Sequence, residues 1–250
     1  MTRSRLDEAM VRRGLAPSRS RARDAITRGH VRVAGRTVAK AGTPVADDAE
    51  IAVDDPALAW VSRAALKLIA GLDAFAIDPA GLTCLDLGAS TGGFTQVLLA
   101  RGAARVVAVD VGHGQLDPAV AADPRVAVFE GLNARDLTDA QVPDPVDLIV
   151  ADVSFVSLKL ALDPALALAK PGARLVALVK PQFEVGRQAL GRGGIVRDRE
   201  AAQRAAEAIA DWLRDRGWTI VGLTDSPIAG GDGNREFLLG ARRDGAGDDG

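Results

Sequence analysis

Two hydrophobic patterns divide the chain. In residues 5–14, RLDEAMVRRG, the apolar positions Leu6, Met10 and Val11 fall on one helical face, and Gly14 supplies a stop. A second helix follows in APSRSRARDAITRGH, with Ser18 as its N-cap, Ala22, Ala25 and Ile26 as its stripe and Gly29 as its end. HVRVAGRTV alternates around Ala-Gly as a hairpin does, and AEIAV at 49–53 adds a short strand. Residues 1–55 therefore predict a small α+β module with barely enough apolar surface to fold alone. Pro56 and the double acid before it mark a linker over 56–63, and Ser62–Leu72 reads as a helix.

From Leu82 the period changes. TCLDLG, ARVVAVDVG, VAVFEG, VDLIVADVS, ARLVALVK, TIVGLTDS and EFLLGARR are apolar runs of strand length. Helical stretches separate the first six, and only a short turn precedes the last. This alternation predicts an α/β domain over 64–242, a mostly parallel seven-stranded sheet whose last strand closes an antiparallel hairpin. The glycine- and acid-rich end, 243–250, predicts a disordered tail.

Composition narrows the function classes. Hydrophobic residues make up 48% of 250, enough to bury a large core. One cysteine, Cys84, lies inside a strand and allows no internal disulfide; with only His30 and His113 besides, no zinc site is expected. A reducing, cytoplasmic setting fits. The arginine-rich start lacks the apolar centre of a secretory signal, and no run of eighteen apolar residues offers a membrane span. The formal net charge of −2 hides an asymmetry. Residues 1–40 hold eleven Arg and Lys against three acids, a net of +8, while the remainder is net −10. A polyanion would be drawn to one end only. Arg5, Arg19, Arg21, Arg23, Arg28 and Arg32 are its candidate contacts there.

The candidate chemistry centres on DLGASTGGFT, residues 86–95. A dinucleotide fold needs G-x-G-x-x-G, but Gly88, Gly92 and Gly93 have another spacing and Ser90 stands where a second glycine would. Asp86 at the strand end and Asp110 after the next strand are set to face the ligand, where they would repel a diphosphate. Asp110 is placed for ribose hydroxyls. A nucleoside without phosphates suits this loop, and S-adenosylmethionine is the common one. Its expected contacts are Asp86, Gly88, Ala89, Ser90, Gly92, Gly93, Phe94, Asp110 and Asp152, with Asn133 and Asp136 at the adenine edge. Arg187, Arg192 and Arg197, past the fifth strand, are placed to grip phosphates.

VSRAALKL, CLDLGASTGGFTQVLL, VDLIVADVSFVSL, LVKPQFEVGR and NREFLL, in that order, resemble the TlyA ribosomal RNA methyltransferases. The resemblance spans about residues 3–242. It implies a Rossmann-like, S-adenosylmethionine-dependent domain of the FtsJ 2′-O-methyltransferase type behind an αL (S4-like) RNA-binding domain. It further implies a catalytic tetrad of Lys67, Asp152, Lys180 and Glu236, with Lys180 as general base or hydroxyl-positioning residue. In a doubly wound sheet Asp152 and Lys180, at strand ends, would converge on one rim. The implied substrate is a cytidine ribose of folded ribosomal RNA or subunits, with no obligate protein partner and no metal. The same family carries haemolysin labels, so a membrane-active protein is one rival; an RNA-binding assembly factor without turnover and a nicotinamide enzyme are others.

Overall fold

The computed structural model describes residues 3–186, 189–191, 193–230 and 233–245. The chain forms two compact units, 1–63 and 64–250.

In the first unit, strand β1 (Arg3–Arg5) leads into helix α1 (Leu6–Arg12), which Gly14 follows at φ +70°, and then helix α2 (Arg19–Thr27). The Ser18 hydroxyl caps α2 by accepting from the Arg21 N–H at 3.3 Å. Strands β2 (Val31–Val33) and β3 (Arg36–Thr37) form the hairpin about Ala34 and Gly35, both at positive φ. Strand β4 (Pro44–Ala46) pairs with β1, and β5 (Ile51–Val53) pairs with the free side of β2. Leu6, Met10, Ala22, Ala25, Ile26 and Val31 are buried together as its core.

The second unit opens with helix α3 (Ala65–Ala74). The helix expected from Ser62 begins three residues later, after a turn, and runs two residues past Leu72. Leu68, Leu72 and Phe75 extend its buried stripe, which explains the longer end. Then come β6 (Thr83–Leu87), α4 (Gly93–Ala100), β7 (Arg105–Asp110), α5 (Pro118–Ala121) and β8 (Val126–Glu130). After them follow β9 (Val146–Ala151), α6 (Leu158–Ala167), β10 (Ala169–Val179), α7 (Pro181–Glu184), α8 (Arg199–Arg214), β11 (Trp218–Asp225) and β12 (Phe237–Arg243).

The seven apolar runs become one sheet of order β11-β12-β10-β9-β6-β7-β8. Strands β6 to β10 pair in parallel, and β12 is antiparallel to both its neighbours. The last strand therefore does more than close a hairpin: it inserts between β11 and β10. Leu85, Ile149, Leu175 and Leu239, from four central strands, have no exposed surface, and α8 lays Ala202, Ala206, Ile209 and Leu213 on the same core. The sheet is a Rossmann-like methyltransferase sheet. Strand order reverses between β6 and β9, where ligands bind in such folds.

Candidate active site

At that reversal the chain after β6, β7 and β9 walls a cavity of about 780 Å³. Gly88, Ser90, Asp110, Asn133 and Asp152 line it, as do Arg135, Ser154 and Phe155, which the sequence reading did not single out. Gly88 has φ +82°, and a Cβ there would stand 2.6 Å from the Asp152 carbonyl oxygen. Only glycine lets these two strand ends close. Asp110 anchors the loop, its Oδ2 accepting from Ser90 N and its Oδ1 from Gly112 N, each at 2.7 Å. A carboxylate retains lone pairs for further donors, so loop anchor and cavity wall are compatible roles. Asn133 also has two: it lines the cavity, and its Oδ1 caps a 3-10 turn, Ala134–Asp136, accepting from Arg135 N at 3.1 Å.

Other predicted contacts lie elsewhere. Ala89, Gly92, Gly93 and Phe94 are outside the lining: Gly92, at φ +93°, turns the chain into α4, and Phe94 packs beneath it in the core. Asp136 is not in the lining either. Asp86 departs most from expectation. It has no exposed surface; its Oδ2 accepts the Thr95 hydroxyl at 2.6 Å, and its Oδ1 is buried without a hydrogen-bond partner among the described residues. Burial pushes its carboxyl up to about 7, with the Thr95 bond opposing and the charges of Asp152 and Asp110 adding. An acid this enclosed braces the loop from below instead of facing a ligand.

The four tetrad positions come to one rim for separate reasons. Asp152 follows β9 and Lys180 follows β10, both at C-terminal ends. Because β12 is antiparallel, Glu236, just before it, begins where those strands finish; Val179 and Phe237 are paired. Helix α3 delivers Lys67. One turn on, Gly71 has no side chain to hold the helix off β10, and a Cβ would meet Val176 Cγ1 at 2.7 Å. The set divides into two ion pairs. Lys180 Nζ lies 2.6 Å from Asp152 Oδ1 and donates to the Ser154 hydroxyl at 2.7 Å. Lys67 Nζ lies 2.5 Å from Glu236 Oε2, and their side chains are 8% and 3% exposed. Each lysine of the tetrad thus has its own carboxylate.

In the first unit the arginines are more committed than a bare charge count implies. Arg5, Arg23 and Arg19 converge on the fully buried Asp7 at 3.0, 3.1 and 3.4 Å. Burial alone would raise the Asp7 carboxyl, but these guanidiniums outweigh it and hold it well below the usual carboxylate range. Arg21 donates to the carbonyls of Ala57 and Trp60, and Arg28 to Asp55. Arg32 is exposed and has no ion pair among the described residues. Arg187 and Arg192 lie outside the described residues, as do 246–250 of the expected tail. No helix among the described residues is long and apolar enough to cross a membrane.

The chain matches the FtsJ-like methyltransferase family over residues 60–243 and the S4 domain over residues 4–51. It is 50% identical to the 16S/23S rRNA (cytidine-2′-O)-methyltransferase TlyA of Mycobacterium tuberculosis, over 95% of this chain and 89% of that one. It is 39% identical to Hemolysin A of Brachyspira hyodysenteriae, over 94% and 98%. A solved structure from Streptococcus thermophilus that carries a hemolysin name superposes with a TM-score of 0.76 at 36% identity, covering 98% of this chain and 90% of that one. With an FtsJ-like match along its second unit and half its residues shared with TlyA, the chain belongs to the TlyA group of FtsJ-like methyltransferases.

Proposed function

We propose that this protein transfers a methyl group from S-adenosylmethionine to the 2′-oxygen of a cytidine ribose in ribosomal RNA, of the large subunit alone or of both subunits, in the cytoplasm. The observation that carries the reading is the Lys180–Asp152 pair beside a cavity whose walls suit a nucleoside and not a diphosphate. The fit of the cofactor rests on this chain's own residues. Gly88 clears backbone space, the Asp110 carboxylate is available to ribose hydroxyls, Asn133 keeps an amide for a base edge, and the volume lies within the range of small-molecule sites. When bound, S-adenosylmethionine supplies an electrophilic methyl on a sulfonium sulfur.

The remaining work falls to the protein. A ribose hydroxyl is a weak acid and must be held and relieved of its proton as its oxygen becomes a nucleophile. A lysine paired at 2.6 Å with a carboxylate and bonded to Ser154 is a donor, fixed in direction by both partners. Its role is to hold the 2′-oxygen, and the Asp152 carboxylate beside it can take the proton. The Lys67–Glu236 pair fastens α3 to the start of β12 and so supports this rim. Hemolysin-named relatives share the same chain length of similarity, and nothing in the site itself favours a membrane role over transfer.

The test uses S-adenosylmethionine labelled in its methyl group, with ribosomal subunits as acceptors. Label should enter ribosomal RNA at a linkage that resists alkali, because alkaline cleavage needs a free 2′-hydroxyl. Label in an alkali-sensitive nucleotide, or none at all, would overturn the reading.

A further inference from the structure

Beyond Glu236 the rim continues into an open groove that the reaction itself does not use. Arg197, Arg199, Asp225, Arg235 and Glu236 are among the walls of its inner part; Arg199, Glu200, Gln203, Arg204 and Arg235 wall its outer part. Arg199 and Arg235 belong to both, so the groove runs unbroken from the buried Lys67–Glu236 pair to the first turns of α8. Four guanidiniums and three carboxylates line it, a balance on the positive side in a stretch of chain (residues 41–250) where thirty acids face twenty Lys and Arg.

The four are not equivalent. Asp225 holds Arg235 in a fork at 2.6 and 2.7 Å, over the Phe237 ring. Arg204 lies 3.5 Å from Glu200 and 3.8 Å from Asp198. Arg197 and Arg199 are exposed and have no carboxylate at ion-pair distance among the described residues. Asp225 feels the charge of Arg199 as well as that of its own partner Arg235. Two exposed cations outside any direct ion pair, beside a fixed one at the edge of a reaction centre, are suited to successive anions along a chain.

The geometry points to a phosphate-binding groove in which Arg197 and Arg199, with Arg235 as its fixed wall, take the phosphodiesters of the single RNA strand flanking the methylated ribose. This rests on the RNA-methyltransferase reading, because only a polynucleotide substrate extends past its reacting sugar. The strand is single there, since a ribose brought to a pocket between strand ends must leave its stacked helix.

The experiment compares the full chain with Arg197→Ala/Arg199→Ala and with a control, Arg101→Ala/Arg216→Ala, which removes equal charge elsewhere. Equilibrium binding of ribosomal RNA is followed across salt, and methyl transfer is followed separately. The groove variant should flatten the log–log salt slope by about 1.4, at about 0.7 for each single-strand phosphate. Its KM for subunits should rise several-fold with kcat and cofactor affinity held, and Arg→Lys at both positions should restore most of the slope. An unchanged slope in the groove variant, or an equal change in the control, overturns the groove. Absence of transfer by the unmodified protein would instead sink the methyltransferase reading, while the binding slopes would still decide the groove.

Discussion

Lys67 and Glu236 stand 169 residues apart in the chain and meet at 2.5 Å, both almost fully enclosed. Removing one member leaves the other charge buried without a partner, which typically costs about 3–5 kcal/mol. Lys67→Met should therefore lose stability of that order in denaturant titrations, as well as activity. Lys67→Met/Glu236→Gln, with no orphaned charge, should recover much of the stability but not the transfer. Equal instability in the single and double variants would mean that packing of the lysine stem, not its charge, is what matters.

Lys180→Ala should abolish methyl transfer while S-adenosylmethionine affinity stays within a few-fold. The lysine's partners are Asp152 and Ser154, and it is not among the cavity lining. Single-turnover assays with calorimetry on the same preparation check both halves. Full turnover would remove Lys180 from the machinery.

Asp110→Ala should weaken cofactor binding by about 1.5–3 kcal/mol, the range of hydrogen bonds to charged groups. Part of that loss would be indirect, since the Ser90 and Gly112 N–H groups lose their acceptor as well. Asp110→Asn, which keeps one acceptor oxygen, should fall between. Calorimetry with NAD on the unmodified protein is the companion measurement, and tighter binding of NAD would contradict the assignment.

Asp86 and Asp7 make stability respond to pH in opposite senses. Asp86 sits at about 7, above its ordinary 3.8, so the folded state holds the proton more firmly. Its contribution is fully present below about pH 4 and is lost as pH rises through about 7. The stability of Asp86→Asn relative to the parent should therefore climb between pH 4 and 7 and then level, as read by urea unfolding. A flat difference would show an ordinary carboxylate. Asp7 is depressed, so its contribution is present above its ordinary range and lost as pH falls below it; Asp7→Asn should blunt acid unfolding of the first unit.

Arg32→Ala/Arg36→Ala should flatten the salt dependence of ribosomal RNA binding by roughly two, at about 0.9 per phosphate contact on a duplex. Both side chains are exposed and have no ion pair among the described residues. Arg21→Ala, which removes two bonds to the Ala57 and Trp60 carbonyls, should instead lower stability. Melting curves run beside the binding assay separate the two effects.

The sheet was legible because each strand carries its own apolar run, and a run of Leu and Val needs no partner to be recognised. The small β1–β4 pair was not: RSR and PVA show no alternation, and their pairing is made by chain that folds back across about forty residues. Glycine spacing correctly set the loop apart from a dinucleotide fold. It could not tell that Asp86 turns inward, because that depends on the Thr95 hydroxyl a turn into α4. In the same way Asp7 reads as one more polar residue on a helix, and its burial is tolerated only because three guanidiniums reach it. Phe155 offered a signal in VSFVSL, yet its 92% exposure and positive φ of 64° are backbone facts that no pattern announces.

The antiparallel course of β12 also has a consequence for the order in which the protein is made. Glu236 and the strand behind it are the last pieces of the sheet to leave the ribosome, yet they go into its interior, between β10 and β11. Until they arrive, β11 has no strand to lie against, β10 presents a bare edge, and Lys67 waits without its carboxylate. A nascent or truncated chain ending before residue 236 thus carries the glycine loop, Asp152 and Lys180 but an unfinished rim, so that the reaction centre is assembled only once β12, the last strand of the sheet, has been made.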